Sequence, residues 1–87
     1  MKLIILYHSK GEFARQMEEY AHDFESQRGK VIELKDLETR DGSDMARLYD
    51  IVQYPSLLAV RDDGELAKVW PGPSLPLMDE VAGYANS

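Results

Sequence analysis

The segment from Met45 to Trp70, MARLYDIVQYPSLLAVRDDGELAKVW, carries the most informative pattern of the sequence. It contains two runs of β-forming residues, 56–60 and 65–70, separated by a turn over 62–64 that reads Asp-Asp-Gly. Two such runs around an Asp-Gly turn predict an antiparallel hairpin. The Pro-Gly-Pro sequence at 71–73 then ends the second strand, since proline cannot continue a hydrogen-bonded ladder.

The residues before this stretch predict a strand, a helix and a second strand. Lys2–Tyr7 is a nearly continuous apolar run, typical of a strand buried on both faces. Ser9 precedes Glu12 by three residues, which matches a capping box and predicts a helix start there. Gly29 then ends the helix before a strand over 31–34, and this order predicts parallel pairing of the two strands. The apolar stripe of the helix consists of Phe13, Met17, Tyr20, Ala21 and Phe24.

Two more helices complete the pattern. The turn at 41–43 is expected to cap a short helix over 44–50, and Ser74 is expected to cap the last helix, with Pro76 in its first turn. The order βαβαββα predicts an α/β fold, in which three helices flank a four-stranded mixed sheet, within a single domain spanning 1–87. The side chains expected to point inward from these two helices are Met45, Leu48, Tyr49, Leu77, Met78, Val81, Ala82 and Tyr84.

Composition excludes several classes of function. Sixteen acidic residues against ten basic ones give a net charge of −6, which argues against binding to nucleic acids and to anionic membranes. No run of apolar residues is long enough to span a bilayer, and we expect a full-length cytoplasmic protein. The chain has no cysteine, and its two histidines are too few for most metal sites. We therefore expect no disulfide, no metal and no cofactor.

Residues 45–60 resemble a segment of thioredoxin-like proteins. In that family a short helix ends in Tyr-Gly-Ile/Val and continues through three residues into Pro-Thr-Leu. The sequence Tyr-Pro-Ser-Leu at 54–57 is similar to the Tyr-Pro-Thr form found in protein disulfide isomerase domains. Gly64 and Gly72 match the hairpin glycine and the glycine after the last strand. The resemblance covers essentially the whole chain, and it implies the thioredoxin-like fold with a cis bond before Pro55.

The chain departs from this family where the first helix begins. Family members carry Cys-x-x-Cys, or at least one cysteine, at that point, whereas this sequence reads Ser-Lys-Gly-Glu-Phe-Ala-Arg over 9–15. A serine hydroxyl cannot replace a thiolate in disulfide exchange. The resemblance therefore implies a redox-inactive member of the superfamily, which is not an enzyme and acts by binding a protein or peptide.

The candidate binding residues come from both walls of the family's site. Tyr54 and Pro55 form the edge that would pair with an extended peptide, although the proline could be purely architectural. Trp70 could project as a binding aromatic or pack against the last helix. The helix start contributes Ser9, Lys10, Gly11, Phe13 and Arg15, which could instead be an ordinary cap with solvated basic side chains.

Three further interpretations concern the two histidines, glutathione binding and a structural role. His8 lies beside the helix start, and His22 lies near carboxylates with metal-like spacing, but an incidental role is favoured for both. A glutathione-binding domain is one alternative function, by analogy with transferase N-terminal domains. Those domains have an acidic residue before a serine, whereas Pro73 precedes Ser74 here. The other alternative is a structural subunit of an oligomer, and the oligomeric state stays open.

Overall fold

The strands and helices follow one another in the predicted order. In the computed structural model, which describes residues 1–86, two central strands are buried on both faces and two outer strands flank them. The elements are β1 (Lys2–Tyr7), α1 (Ala14–Arg28), β2 (Ile32–Asp36), α2 (Arg40–Leu48), β3 (Ser56–Val60), β4 (Leu66–Pro71) and α3 (Met78–Ala85). Among these residues, no helix is long and apolar enough to cross a membrane.

The sheet has the strand order β2-β1-β3-β4. β1 pairs with β2 in parallel, with Ile5 beside Leu34, and with β3 in antiparallel, with Ile5 beside Leu57. β3 and β4 form the predicted antiparallel hairpin, with a bulge between Ala59 and Val60. The mixed sheet and its three helices confirm the predicted fold class.

The sheet separates two apolar cores. Because successive side chains of a strand point to opposite faces, β1 sends Leu3, Ile5 and Tyr7 into one cluster and Ile4 and Leu6 into the other. The larger cluster lies under α1 and α3, and the smaller one lies under α2. The buried helical residues of the larger cluster are Ala14, Met17, Ala21, Phe24, Val81 and Ala85, and α2 contributes Ala46 to the smaller cluster.

The predicted capping box is wrong. α1 begins at Ala14, its N-cap is Phe13, and no side chain caps it. The hydroxyl of Ser9 instead donates to Asp36 Oδ2 at 2.5 Å, so the chain from Ser9 to Phe13 forms turns before the helix starts. A contact with the end of β2 has therefore replaced the local cap.

The other two helices also begin at different residues from those predicted. α2 begins earlier, because the Thr39 hydroxyl accepts a hydrogen bond from the Gly42 amide at 3.2 Å. α3 begins later, after Leu77, and Ser74 does not cap it. Leu48 and Leu77, which we expected to point inward, are 73% and 80% exposed. Leu48 is the last residue of α2 and Leu77 is the residue before α3, and neither side chain is buried in the core.

Candidate functional site

A cleft lies at the end of the sheet where β1 ends and β3 begins. The Tyr54–Pro55 peptide bond is cis, and Pro55 is buried directly before β3. Opposite it, the turns before α1 place Gly11 and Phe13 on the other wall. The cavity between these walls is about 230 Å³ and is also lined by Tyr7, His8, Glu12 and Ala14. Aromatic and aliphatic groups therefore form most of its surface.

Tyr54 forms the rim of this cleft. Its side chain is held on one side, because the hydroxyl donates to the Ile51 carbonyl at 2.7 Å. Its ring meets the His8 ring edge-on, with the centroids 5.9 Å apart. The residue remains 37% exposed. Within residues 1–86, no hydrogen bond engages its main-chain amide or carbonyl, so both groups stand available for a ligand.

A second cavity lies on the other side of Tyr54. It is about 460 Å³, and its walls include Arg47, Asp50 and Val52 from α2 and the segment that follows. Tyr54 and His8 line both cavities, and therefore stand between them. The first cavity borders α1 and the second borders α2, and these two helices pack on opposite faces of the sheet.

Ser9 is held by the carboxylate of Asp36. In addition to the hydroxyl contact, the Ser9 amide donates to Asp36 Oδ1 at 3.3 Å, and the Glu38 amide donates to the same oxygen at 3.0 Å. These donors favour the ionised carboxylate, and the Ser9 hydroxyl bond contributes most to lowering the pKa of Asp36 below its ordinary value. Ser9 thus fixes the turn before α1 against Asp36, and its hydroxyl proton points to the Asp36 carboxylate.

His8 does not activate a nucleophile. Its Nδ1 lies 3.3 Å from Glu38 Oε1, and its side chain is half-exposed. The neighbouring Ser9 hydroxyl bonds to Asp36, so the geometry lacks the contact between base and nucleophile that covalent catalysis needs. Among the described residues, no group of three or more histidine and carboxylate side chains is arranged to hold a metal ion.

Tyr7 is a cleft residue that the sequence did not single out. Its hydroxyl donates to Glu18 Oε2 at 3.1 Å. Burial is the main reason that the pKa of Tyr7 is raised to about 12, and the bond to Glu18 acts in the same direction. The sequence feature that could have identified it is a tyrosine at the end of an apolar strand, but the strand pattern alone assigns such a residue to the core.

The structure brings some of the sequence candidates together and separates others. Gly11, Phe13, Tyr54 and Pro55 line one cleft. Lys10 and Ser9 lie beside it and line a separate cavity of about 510 Å³ with Gly11, Asp36 and Glu38. Arg15 does not line any of these cavities; its side chain is 91% exposed and lies 3.4 Å from Glu19 Oε1.

Trp70 does not belong to this site. It is 8% exposed, and its indole Nε1 donates to Glu80 Oε2 at 2.6 Å. Its ring packs edge-on against Tyr84, with the centroids 5.2 Å apart. The tryptophan therefore anchors α3 to the larger core, and its place among the candidate binding residues is corrected.

The chain has a thioredoxin-like fold without the dithiol. The chain contains no cysteine, so it has no group that could carry thiol–disulfide exchange. A solution structure of a thioredoxin from Thermus thermophilus matches 97% of this chain and 70% of that one, with a TM-score of 0.60 and 16% sequence identity. That likeness supports the fold. No protein-family model and no curated protein matches the chain.

Proposed function

We propose that this domain binds an extended segment of a protein or peptide along the Tyr54–Pro55 edge and that it has no catalytic role. The observation that carries the proposal is the unpaired main-chain amide and carbonyl of Tyr54, within the described residues, beside an apolar cleft. An extended peptide can pair with such groups as an added strand would, while its side chains enter adjoining cavities. The absence of cysteine rules out dithiol exchange as the purpose of the cleft.

The two cavities suit the alternation of an extended chain. Successive side chains of a strand point in opposite directions, and the cavities lie on opposite sides of Tyr54. The side chain entering the cleft beside Phe13 would meet aromatic and aliphatic walls. The next one would meet Arg47 and Asp50. The domain would therefore favour an apolar residue next to a polar one.

Selection from a phage-displayed library of random linear peptides would test this proposal. Peptides selected on the whole protein would be titrated against Phe13→Ala, Tyr54→Ala and, as a control, Leu77→Ala. Leu77 is an exposed apolar residue that lines neither cavity. We expect at least roughly tenfold weaker binding for the first two variants, as for aromatic residues at the centre of an interface. Equal affinity for all three variants would contradict the proposal.

Two further assays separate the alternatives. Titration with reduced glutathione would give saturable chemical-shift changes at the cleft if the domain binds that tripeptide. Insulin reduction should be absent in every case, because no thiol is available. A cytoplasmic location stays a prediction from the sequence.

A further inference from the structure

The two edges of the sheet differ in how well they are protected from pairing. The β4 edge carries a bulge opposite Ala59 and Val60, an exposed Lys68 and the final Pro71. Bulges, lysines and prolines are the usual means by which sheets prevent further strands from joining. The β2 edge, Ile32–Asp36, also carries a lysine, Lys35, but has neither a bulge in its pairing with β1 nor a proline.

Part of the backbone of β2 points away from the sheet. The Leu37 amide donates to the Tyr7 carbonyl at 2.8 Å, which fixes which peptide groups face β1. Because these alternate along a strand in a parallel pair, the amides and carbonyls of Ile32, Leu34 and Asp36 face outward. The Asp36 carbonyl already accepts from Thr39, but the groups of Leu34 have no such partner among the described residues.

The side chains of this edge are complementary to themselves. In an antiparallel pair of two β2 strands related by a twofold axis at Leu34, each Glu33 lies opposite the other chain's Lys35. The two Leu34 residues then form a hydrogen-bonded pair, because both use outward-facing groups. Leu34 is 39% exposed and Val31 is 61% exposed, so apolar surface is available at this edge.

We propose that β2 pairs with β2 of a second copy of this chain, in antiparallel and centred on Leu34, to form a continuous eight-stranded sheet. We infer a second copy as the occupant because two Glu33-Leu34-Lys35 segments that pair in reverse place each Glu33 opposite a Lys35. A twofold interface requires such self-complementarity. This proposal is independent of the Tyr54 cleft, which lies at the end of the sheet.

Charge reversal tests the pairing at the proposed register. Glu33→Lys would place a lysine opposite Lys35 of the other copy, and Lys35→Glu would place two glutamates opposite each other. Each single variant should dimerise roughly tenfold more weakly than the native protein, since two symmetric pairs change from attraction to repulsion. An equimolar mixture of the two variants should form a heterodimer at native strength.

The design separates register from net charge. Glu33→Lys changes the net charge of a chain from −6 to about −4, so general repulsion alone would make this variant associate more strongly. The proposed register requires the opposite. Lys68→Glu on the β4 edge is the matched control for Lys35→Glu, because it makes the same charge change away from the proposed interface, and it should weaken association much less.

Sedimentation equilibrium from micromolar to millimolar protein at physiological ionic strength would measure these outcomes. The proposal would be supported if the native protein dimerises, each single variant dimerises more weakly, and the mixture of the two variants regains the native strength. A native protein that stays monomeric throughout, or a dimer that ignores Glu33 and Lys35, would overturn it. Thermal unfolding of each variant would confirm that the monomers remain folded.

Discussion

Replacing Asp50 with glycine should stabilise the protein. Asp50 follows α2 with a φ of 56°, the only positive φ of a residue other than glycine among residues 1–86. The helix ends there in a Schellman-type turn, in which the Ile51 amide donates to the Ala46 carbonyl at 2.8 Å. In this left-handed conformation the Cβ atom crowds the following carbonyl oxygen, and glycine has no Cβ.

The size of the gain follows from two opposing effects. The left-handed conformation costs most L-residues roughly 1–2 kcal/mol, and it costs aspartate less because aspartate tolerates this region better. Glycine loses roughly 0.5–1 kcal/mol more than alanine on folding, because its unfolded chain is freer. The difference predicts a rise of up to about 1 kcal/mol in the free energy of unfolding of Asp50→Gly. For a domain of this length that is a rise of up to roughly 8 °C in Tm.

Urea and thermal unfolding of three variants at this position would test the argument. Asp50→Asn removes the negative charge from the unfavourable C-terminal end of the helix dipole, while keeping a side chain that tolerates the left-handed region. Asp50→Ala lacks that tolerance. We expect the glycine variant to be the most stable and the alanine variant the least stable. If Asp50→Asn equals Asp50→Gly, charge accounts for the gain, and if Asp50→Ala matches the native protein, the backbone argument is refuted.

Three further changes probe the core and the site. Phe24→Ala should lower the free energy of unfolding in urea by about 3–5 kcal/mol, because the ring is fully buried. Glu18→Gln should lower the pKa of Tyr7, which NMR of the tyrosine ring would measure. The native protein, whose Tyr7 pKa is about 12, loses stability as the pH rises above the unfolded value of 10.0, and the variant should lose less. Ser9→Ala should raise the pKa of Asp36 toward its ordinary value. A lowered carboxyl pKa gives stability that is lost as the pH falls through that pKa, so this variant should lose less stability on acidification. Carbon NMR would measure the pKa of Asp36, and unfolding at several pH values would measure the stability. An unchanged pKa in either variant would contradict the assigned cause.

The order of the elements and the hairpin could be predicted because they depend on local patterns. The apolar run of β1, the stripe on α1 and the Asp-Gly turn each lie within a short window of sequence. The resemblance then supplied the place of the cis bond before Pro55, which no local pattern would have marked.

The start of α1 could not be predicted because a distant contact determines it. Ser9 has the sequence of a cap, but its hydroxyl bonds to Asp36, which lies 27 residues away. At α2, the Asp-Gly-Ser sequence at 41–43 suggested a turn, yet Gly42 lies inside the helix. A Cβ at Gly42 would come within 2.2 Å of the Asp36 carbonyl oxygen, so only glycine permits this close approach of helix and strand.

Only part of the candidate site could be predicted, because its residues come together through contacts between distant segments. Phe13 and Tyr54 line the same cleft because the turns before α1 and the start of β3 both lie where β1 ends. Trp70 also lies near the end of a strand, but its indole bonds to a carboxylate on α3, a contact that depends on how the last helix packs. Tyr7 was missed because its hydroxyl contact with Glu18 depends on the position of α1 over the sheet.

The division of the core by the sheet has a consequence for how such a sequence can evolve. α1 and α3 contribute to one cluster and α2 to the other, so a change on one side need not be compensated on the other. Among the buried residues of the described chain, only β1 and β3 contribute side chains to both clusters, so these two strands are constrained by the packing on both faces. Relatives should therefore diverge freely in their helices and share mainly two short apolar strands.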